Sequence, residues 1–274
     1  MTLFQSILLG VVQGLSEFLP ISSSAHLVII PYLLKWQIPP EQAFVFDVLV
    51  QVATLMAVVT YFWKDLVQIS KAFVQGILHK SPFINANARF GWLLLLATIP
   101  AGLLGLAIKD AVKSAFGNPV VAALFLLVTV VLLVIAERVG KRLRGNENLN
   151  WLDALWIGAF QAIAIFPGIS RSGSTIAGGM TRDLQRPVSA RFAFLMSIPI
   201  MLAAGASATV DLFHFPNMGA VLPVFIPGFI VAAIVGYFSI RWLLGFLIRH
   251  TLYDFAIYCV ILSFITLVTA LIRR

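Results

Sequence analysis

Two segments of this chain repeat each other 148 residues apart, and each interrupts an apolar stretch in its middle. The first runs from Gly10 to Leu27, GVVQGLSEFLPISSSAHL, and the second from Gly158 to Thr175, GAFQAIAIFPGISRSGST. Aligned without a gap they share Gly10/Gly158, Gln13/Gln161, Phe18/Phe166, Ile21/Ile169, Ser22/Ser170 and Ser24/Ser172. Phe44 and Phe46 match Phe192 and Phe194 in the same register. A Gln and two Ser at fixed spacing set this echo apart from chance matches among Leu and Val. A repeated segment that breaks hydrophobic helices points to a site near the bilayer midplane. The ionisable groups inside the two segments, Glu17, His26 and Arg171, are expensive in lipid and mark function by default.

The surrounding sequence is of membrane grade. Of 274 residues 60% are hydrophobic and only 11% charged, with mean hydropathy +0.98. This reads as one integral membrane bundle rather than several domains. The net charge of +8 is scattered through short loops. That pattern fits lipid headgroups and the positive-inside rule, and argues against a nucleic-acid partner. The single cysteine, Cys259, lies in an apolar run and offers neither an internal disulfide nor a cysteine-based metal site. The first residues lack a cationic leader and a cleavage pattern, so the first apolar stretch is expected in the mature chain.

Spans of ~20 apolar residues are expected at 46–63, 90–108, 119–136, 190–206, 219–240 and 253–272. Segments 3–34 and 151–180 each hold two short apolar runs around a Pro/Ser/Gly break, which predicts re-entrant hairpins. Loops 64–89 and 137–150 are rich in Lys and Arg, whereas 109–118 (Lys109, Lys113, Asp110) and 207–218 (Asp211) are not. The basic loops are therefore expected in the cytoplasm. If each hairpin returns to the side it entered from, three spans separate the two repeats, and the second is inverted. The predicted fold is an all-α polytopic membrane protein with an inverted-topology repeat, about six transmembrane helices plus two re-entrant helical hairpins. The chain is one membrane domain over 1–274, with repeat one about 1–136 and repeat two about 151–272. Both termini would lie outside the cytoplasm, with Arg273 and Arg274 there against the charge rule.

The second repeat carries a candidate anion site. Gly168 and Gly173 allow tight turns, and Ser170, Ser172, Ser174 and Thr175 supply hydroxyls. A helix beginning near Ser172 would aim unpaired amides at the break. Arg171 adds a guanidinium that stays charged when desolvated and grips two oxygens. The first repeat carries the complementary groups. Glu17 and Gln13, one turn apart, are oxygen donors for a hard divalent cation such as Mg2+ or Ca2+, or Glu17 is a general base. Ser22, Ser23 and Ser24 followed by His26 offer a serine nucleophile beside a histidine, a histidine that attacks or shuttles protons, or a hydrogen-bonded core histidine. Capping is as good a role for Ser22 and Ser24 as catalysis. Asp47 and Gln51 share a face of the next span, as a supporting layer or at the headgroup level. In the repeat register Ser23 lies opposite Arg171, so meeting hairpin tips would set them across one pocket.

With these residues in view, the chain resembles the bacterial undecaprenyl-diphosphate phosphatase family, the bacitracin-resistance type, over essentially its whole length. One family motif appears as Gln13 to Glu17, Pro20-Ile21-Ser22-Ser23 and His26, and the other as Pro167 to Thr175. The resemblance implies hydrolysis of the terminal phosphate of a C55 polyprenyl diphosphate lipid. This would recycle the carrier for peptidoglycan and give bacitracin resistance. By similarity Glu17, Ser23, His26 and Arg171 are catalytic. Ser22, Ser24, Ser170, Ser172, Gly173, Ser174 and Thr175 bind substrate, and Glu17 with Gln13 binds the divalent cation. Many relatives carry Glu where Gln13 stands, so Glu17 is the essential carboxylate here. The implied setting is the bacterial cytoplasmic (inner) membrane with an outward-facing pocket, and a homodimer is an open option. A lipid-phosphate transporter with the same inverted repeat is the rival reading. The other lipid-phosphatase superfamily relies on two histidines and two arginines in separated motifs, and here no histidine follows the Arg171 segment until His214.

Overall fold

The computed structural model describes residues 1–108, 117–212 and 218–273. The expectations resting on Lys109, Asp110, Lys113, His214 and Arg274, and on the side chain of Asp211, lie outside the described residues or side chains. The first half holds α1 (Leu3–Ser16), α2 (Ser23–Leu33), α3 (Pro40–Tyr61), α4 (Trp63–Leu78), α5 (Ala86–Ala107) and α6 (Pro119–Val139). The second holds α7 (Trp151–Ile163), α8 (Arg171–Thr181), α9 (Arg186–Leu212), α10 (Met218–Phe246) and α11 (Tyr253–Ile272). Helices α3, α5, α6, α9, α10 and α11 are long and apolar enough to cross a membrane. Their outward rows, such as Ile226, Ile230, Ile234 and Phe238 on α10, are exposed. A patch of that extent belongs in lipid rather than water. The protein is a multi-pass, all-α membrane protein.

The helices differ from the expected spans in instructive ways. α3 begins at Pro40 rather than 46, and α10 runs on to Phe246 rather than 240. Helical hydrogen bonding continues past the apolar window into the headgroup zone. The expected loop 64–89 is mostly helix α4. Lys64, Asp65 and Lys71 lower its hydropathy, while Ile69, Ala72 and Gly76 bury one face. It is an amphipathic helix of the interfacial type.

The two hairpins enter from opposite ends of the bundle. At one end the Met1 amine donates to Gln42 Oε1 at 2.5 Å, placing the start of α1 beside the start of α3. Arg273 donates to the carbonyls of Tyr32 (2.6 Å) and Leu33 (3.0 Å), placing the end of α11 beside the end of α2. Arg273 satisfies the open carbonyls of a helix C-terminus, which explains a cation at this end. At the other end lie Glu137, Arg144, Asp153, Arg182 and Arg186. Asp153 in the first turn of α7 is fully buried and accepts from Arg144 and Arg182. Burial alone would push its carboxyl up. Hydrogen bonds from Arg144, Arg182 and the Asn150 amide outweigh this and hold it below the usual carboxylate range. Glu137 ties Arg142, Arg186 and the Leu252 amide together.

Inversion is visible in the pairing of repeat mates. α3 and α9 run antiparallel, with Phe62 against Phe194 and Val52 against Gly205. α6 and α11 do the same, since Glu137 meets Leu252 and the Ala123 carbonyl meets Ser263. Each hairpin packs on a long helix of the other repeat. Gly10 and Gly14 of α1 lie against Gly228 and Ala232 of α10, and Gly158 of α7 lies against Ala97 of α5. A Cβ added at Gly10 would stand 2.3 Å from the Gly228 carbonyl oxygen, and one at Gly158 2.4 Å from that of Ala97. The identity Gly10/Gly158 therefore has one physical cause twice over: a backbone-to-backbone crossing between repeats.

Candidate active site

The hairpin tips meet inside the bundle. The Gly168 amide donates to Ser24 Oγ at 3.2 Å, and Ser172 Oγ donates to the Leu19 carbonyl at 2.9 Å. Gly168 turns the second tip at φ +109°, and its Cα faces the Ala122 carbonyl too closely for any side chain. The first tip turns at Ser22, a non-glycine residue at φ +70°. Such a backbone is costly and persists where its surroundings hold it.

Both return helices begin at this junction. Ser22 caps α2 through Oγ on the Ala25 amide (3.3 Å), and Ser170 caps α8 through Oγ on the Gly173 amide (3.0 Å). α8 starts at Arg171, one residue before the expected Ser172. The first amides of both helices, at Ser23, Ser24, Arg171 and Ser172, have no backbone acceptor, as at any helix start. Repeat mates thus aim two positive helix ends at one place, where an anion is favoured twice over.

Glu17 is the hub. It caps the C-terminus of α1 and is only 7% exposed. Its Oε2 accepts from Ser23 Oγ at 2.6 Å and from Gln13 Nε2 at 3.0 Å. Its Oε1 accepts from Arg171, whose guanidinium also touches Met201 Sδ. Ser23 and Arg171 therefore line one cavity, as the repeat register predicts, and meet there on one carboxylate. Arg171 has no acid near it in sequence, but the fold brings one from the other repeat. Around this hub lies a cavity of about 170 Å3, lined by Glu17, the hydroxyls of Ser22–Ser24, Ser170 and Ser172, Arg171, Ser16 and Gln51. It is roomy enough for waters or a phosphate headgroup but far too small for a long prenyl chain.

Other candidate residues sit behind this layer. Gly173, Ser174 and Thr175 are buried and do not line the cavity. Thr175 Oγ1 donates back to the Arg171 carbonyl at 2.8 Å, so it braces the helix start. His26 does not form the expected pair with a serine hydroxyl. Its Nδ1 lies 2.7 Å from the Ser22 carbonyl, and its Nε2 lies 2.8 Å from the Tyr258 hydroxyl, with the two rings stacked. A carbonyl only accepts, so Nδ1 carries a proton, and a neutral ring then accepts from Tyr258. His26 thus holds the strained Ser22 turn from behind.

For a divalent cation, the chemistry of the donor set fits. Glu17 offers a carboxylate and the serines offer hydroxyls, while Gln13 Oε1 is buried without a hydrogen-bond partner. These are hard oxygen ligands. Gln161 and Ser174, the repeat mates of Gln13 and His26, are also buried, with Gln161 Nε2 and Oε1 and Ser174 Oγ unpaired. The hub itself belongs to one repeat only, since Ile165 stands where Glu17 does.

Three contributors were not singled out from the sequence: Thr129, Tyr258 and Ser16. Thr129 Oγ1 accepts the Ser170 amide at 2.8 Å. Both Thr129 and Tyr258 are polar groups in the middle of apolar spans, and that isolation was the available signal.

The chain matches the family described as Bacitracin resistance protein BacA over residues 6–265. It is 38% identical to an undecaprenyl-diphosphatase of Methanosphaera stadtmanae, with 98% of this chain and 99% of that one covered. It is 37% identical to one of Thermomicrobium roseum over the full length of both. A third, from Chlorobium phaeovibrioides, is 41% identical over 94% of this chain and 93% of its own.

Proposed function

The chain belongs to the bacitracin resistance protein BacA family, and we propose that it hydrolyses undecaprenyl diphosphate to undecaprenyl phosphate and inorganic phosphate. The observation that carries this reading is the hydrogen bond from Ser23 Oγ to Glu17 Oε2, set where two helix N-termini and Arg171 converge. A hydroxyl bonded to a carboxylate is an activated nucleophile. Converging amides and a guanidinium stabilise charge on transferring phosphoryl oxygens.

Ser23 Oγ forms a bond to the terminal phosphorus as the anhydride P–O bond breaks. The bonding electrons leave with the lipid monophosphate, and the Ser23 proton passes to Glu17. Water then attacks the phosphoserine, the Ser23 O–P bond breaks, and inorganic phosphate is released. Glu17 returns the first proton to Ser23 Oγ as that bond breaks, takes one from the attacking water, and gives it up to solvent, which restores the carboxylate. Arg171, paired with Glu17 before substrate arrives, grips the phosphate, assisted by Ser22, Ser24, Ser170 and Ser172. Gly173, Ser174 and Thr175 support the α8 start, and His26 supports the Ser22 turn. A divalent cation, Mg2+ or Ca2+, would be held by Glu17 and Gln13 and would neutralise charge on the diphosphate. The prenyl chain lies in lipid, because the cavity has room only for the headgroup.

The Arg-rich end of the bundle is assigned to the cytoplasm by the positive-inside rule. The first hairpin then opens to the outer side of the cytoplasmic membrane, where spent carrier lipid appears. A lipid-phosphate transporter has no use for a serine bonded to a carboxylate. The test is phosphate release from C55 diphosphate by the purified protein in detergent, with and without chelator. Divalent-dependent release supports the hydrolase. Lipid binding with no release under any divalent ion overturns it in favour of transport.

A further inference from the structure

We infer that Asp47, with Gln51, forms a second, outer cation-binding arm of the active site. The inference rests on the hydrolase reading for its purpose but not for its test. Gln51 lines the headgroup cavity from α3. Asp47 lies four residues earlier and so shares its helix face one turn away. α3 starts beside Met1, at the end where the first hairpin opens. Asp47 therefore sits between the cavity and that end, on the side from which a diphosphate headgroup would come.

The other acids of the bundle interior are matched. Glu137 and Asp153 are ringed by arginines, and Glu17 holds Arg171. Asp47 has no hydrogen bond or ion pair among the described residues, though it is partly buried within a span. An unpaired carboxylate there is costly. Beside a cavity built for anions, it would also repel the diphosphate that the cavity is shaped to take. A divalent cation between Asp47 and the diphosphate resolves both conflicts, because Mg2+ is commonly held by one or two carboxylates together with substrate phosphates. The cavity itself offers one carboxylate, Glu17, already shared with Arg171. Asp47 supplies the second negative charge, and Gln51 an amide oxygen.

The test is Mn2+ binding by the purified protein in detergent, read from the EPR signal of free Mn2+, alongside the Mn2+ dependence of phosphate release. Asp47→Asn should weaken Mn2+ binding at least tenfold and raise the Mn2+ needed for half-maximal release by a similar factor. Asp47→Glu should restore most of both. Asp254→Asn, an exposed acid of α11, should change neither. Equal Mn2+ affinity in wild type and Asp47→Asn, with the variant eluting and unfolding like wild type, overturns the inference. So does the absence of Mn2+ binding in the wild type. Mn2+ binding that depends on Asp47 in a protein that releases no phosphate would keep the cation arm and sink the hydrolase reading.

Discussion

Ser23 places its hydroxyl 2.6 Å from Glu17 Oε2, bridging the break between α1 and α2 within a single hairpin. The proposed nucleophile and base thus sit in one repeat, and Arg171, the cation proposed to neutralise the phosphate, comes from the other. Neither repeat alone makes the site.

Arg171→Ala should lower phosphate release by about 10²–10³-fold, the usual effect of removing one stabiliser of transition-state charge. Arg171→Lys should recover only part of this, because an ammonium cannot span two oxygens. Steady-state kinetics should show kcat falling more than KM rises. Full activity in Arg171→Lys would mean that a point charge suffices.

His26 and Tyr258 should behave as one brace. His26→Gln and Tyr258→Phe should each lower kcat about tenfold, and the double variant should be little worse than either, because linked residues are not additive. The acid limb of the pH–rate profile should stay in place in His26→Gln, since His26 braces the turn and exchanges no proton with substrate. A loss above 10³-fold in His26→Gln together with a shifted acid limb would instead make His26 a catalytic group.

Asp153 yields a pH prediction. Its carboxyl is held below the usual value near 4. A depressed carboxylate contributes stability that is fully present above the unfolded value and lost as pH falls through the folded one. Wild-type Tm should therefore hold steady on this account from pH 7 to about 5 and decline below about 4. Asp153→Asn should have a lower Tm at pH 7, because Arg144 and Arg182 lose their partner, and a flatter decline in acid. Breaking a buried pair typically costs about 3–5 kcal/mol. The check is a thermal-unfolding series in detergent across that pH range.

Much of this arrangement was legible in the sequence, because its main signals are local. The Pro/Ser/Gly breaks marked both hairpins, and the Gly10/Gly158 and Ser22/Ser170 identities marked the crossings and caps that the fold uses twice. What was hidden depends on distant pairing. Arg171 looked unpaired because its acid lies 154 residues away, and His26 looked like a serine's partner because Tyr258 lies 232 residues away. α4 read as a loop because a hydropathy window averages over the polar face of an amphipathic helix.

The most direct test asks where the phosphate goes. Purified protein is mixed with C55 diphosphate labelled in its terminal phosphate, quenched within one turnover, and its peptides are mapped. Wild type should carry acid-stable label on Ser23. Ser23→Ala should carry none, and its phosphate release should fall by about 10³-fold or more, as expected when a nucleophile is removed. Acid-labile label on His26, or near-normal release by Ser23→Ala, would rule out attack by Ser23.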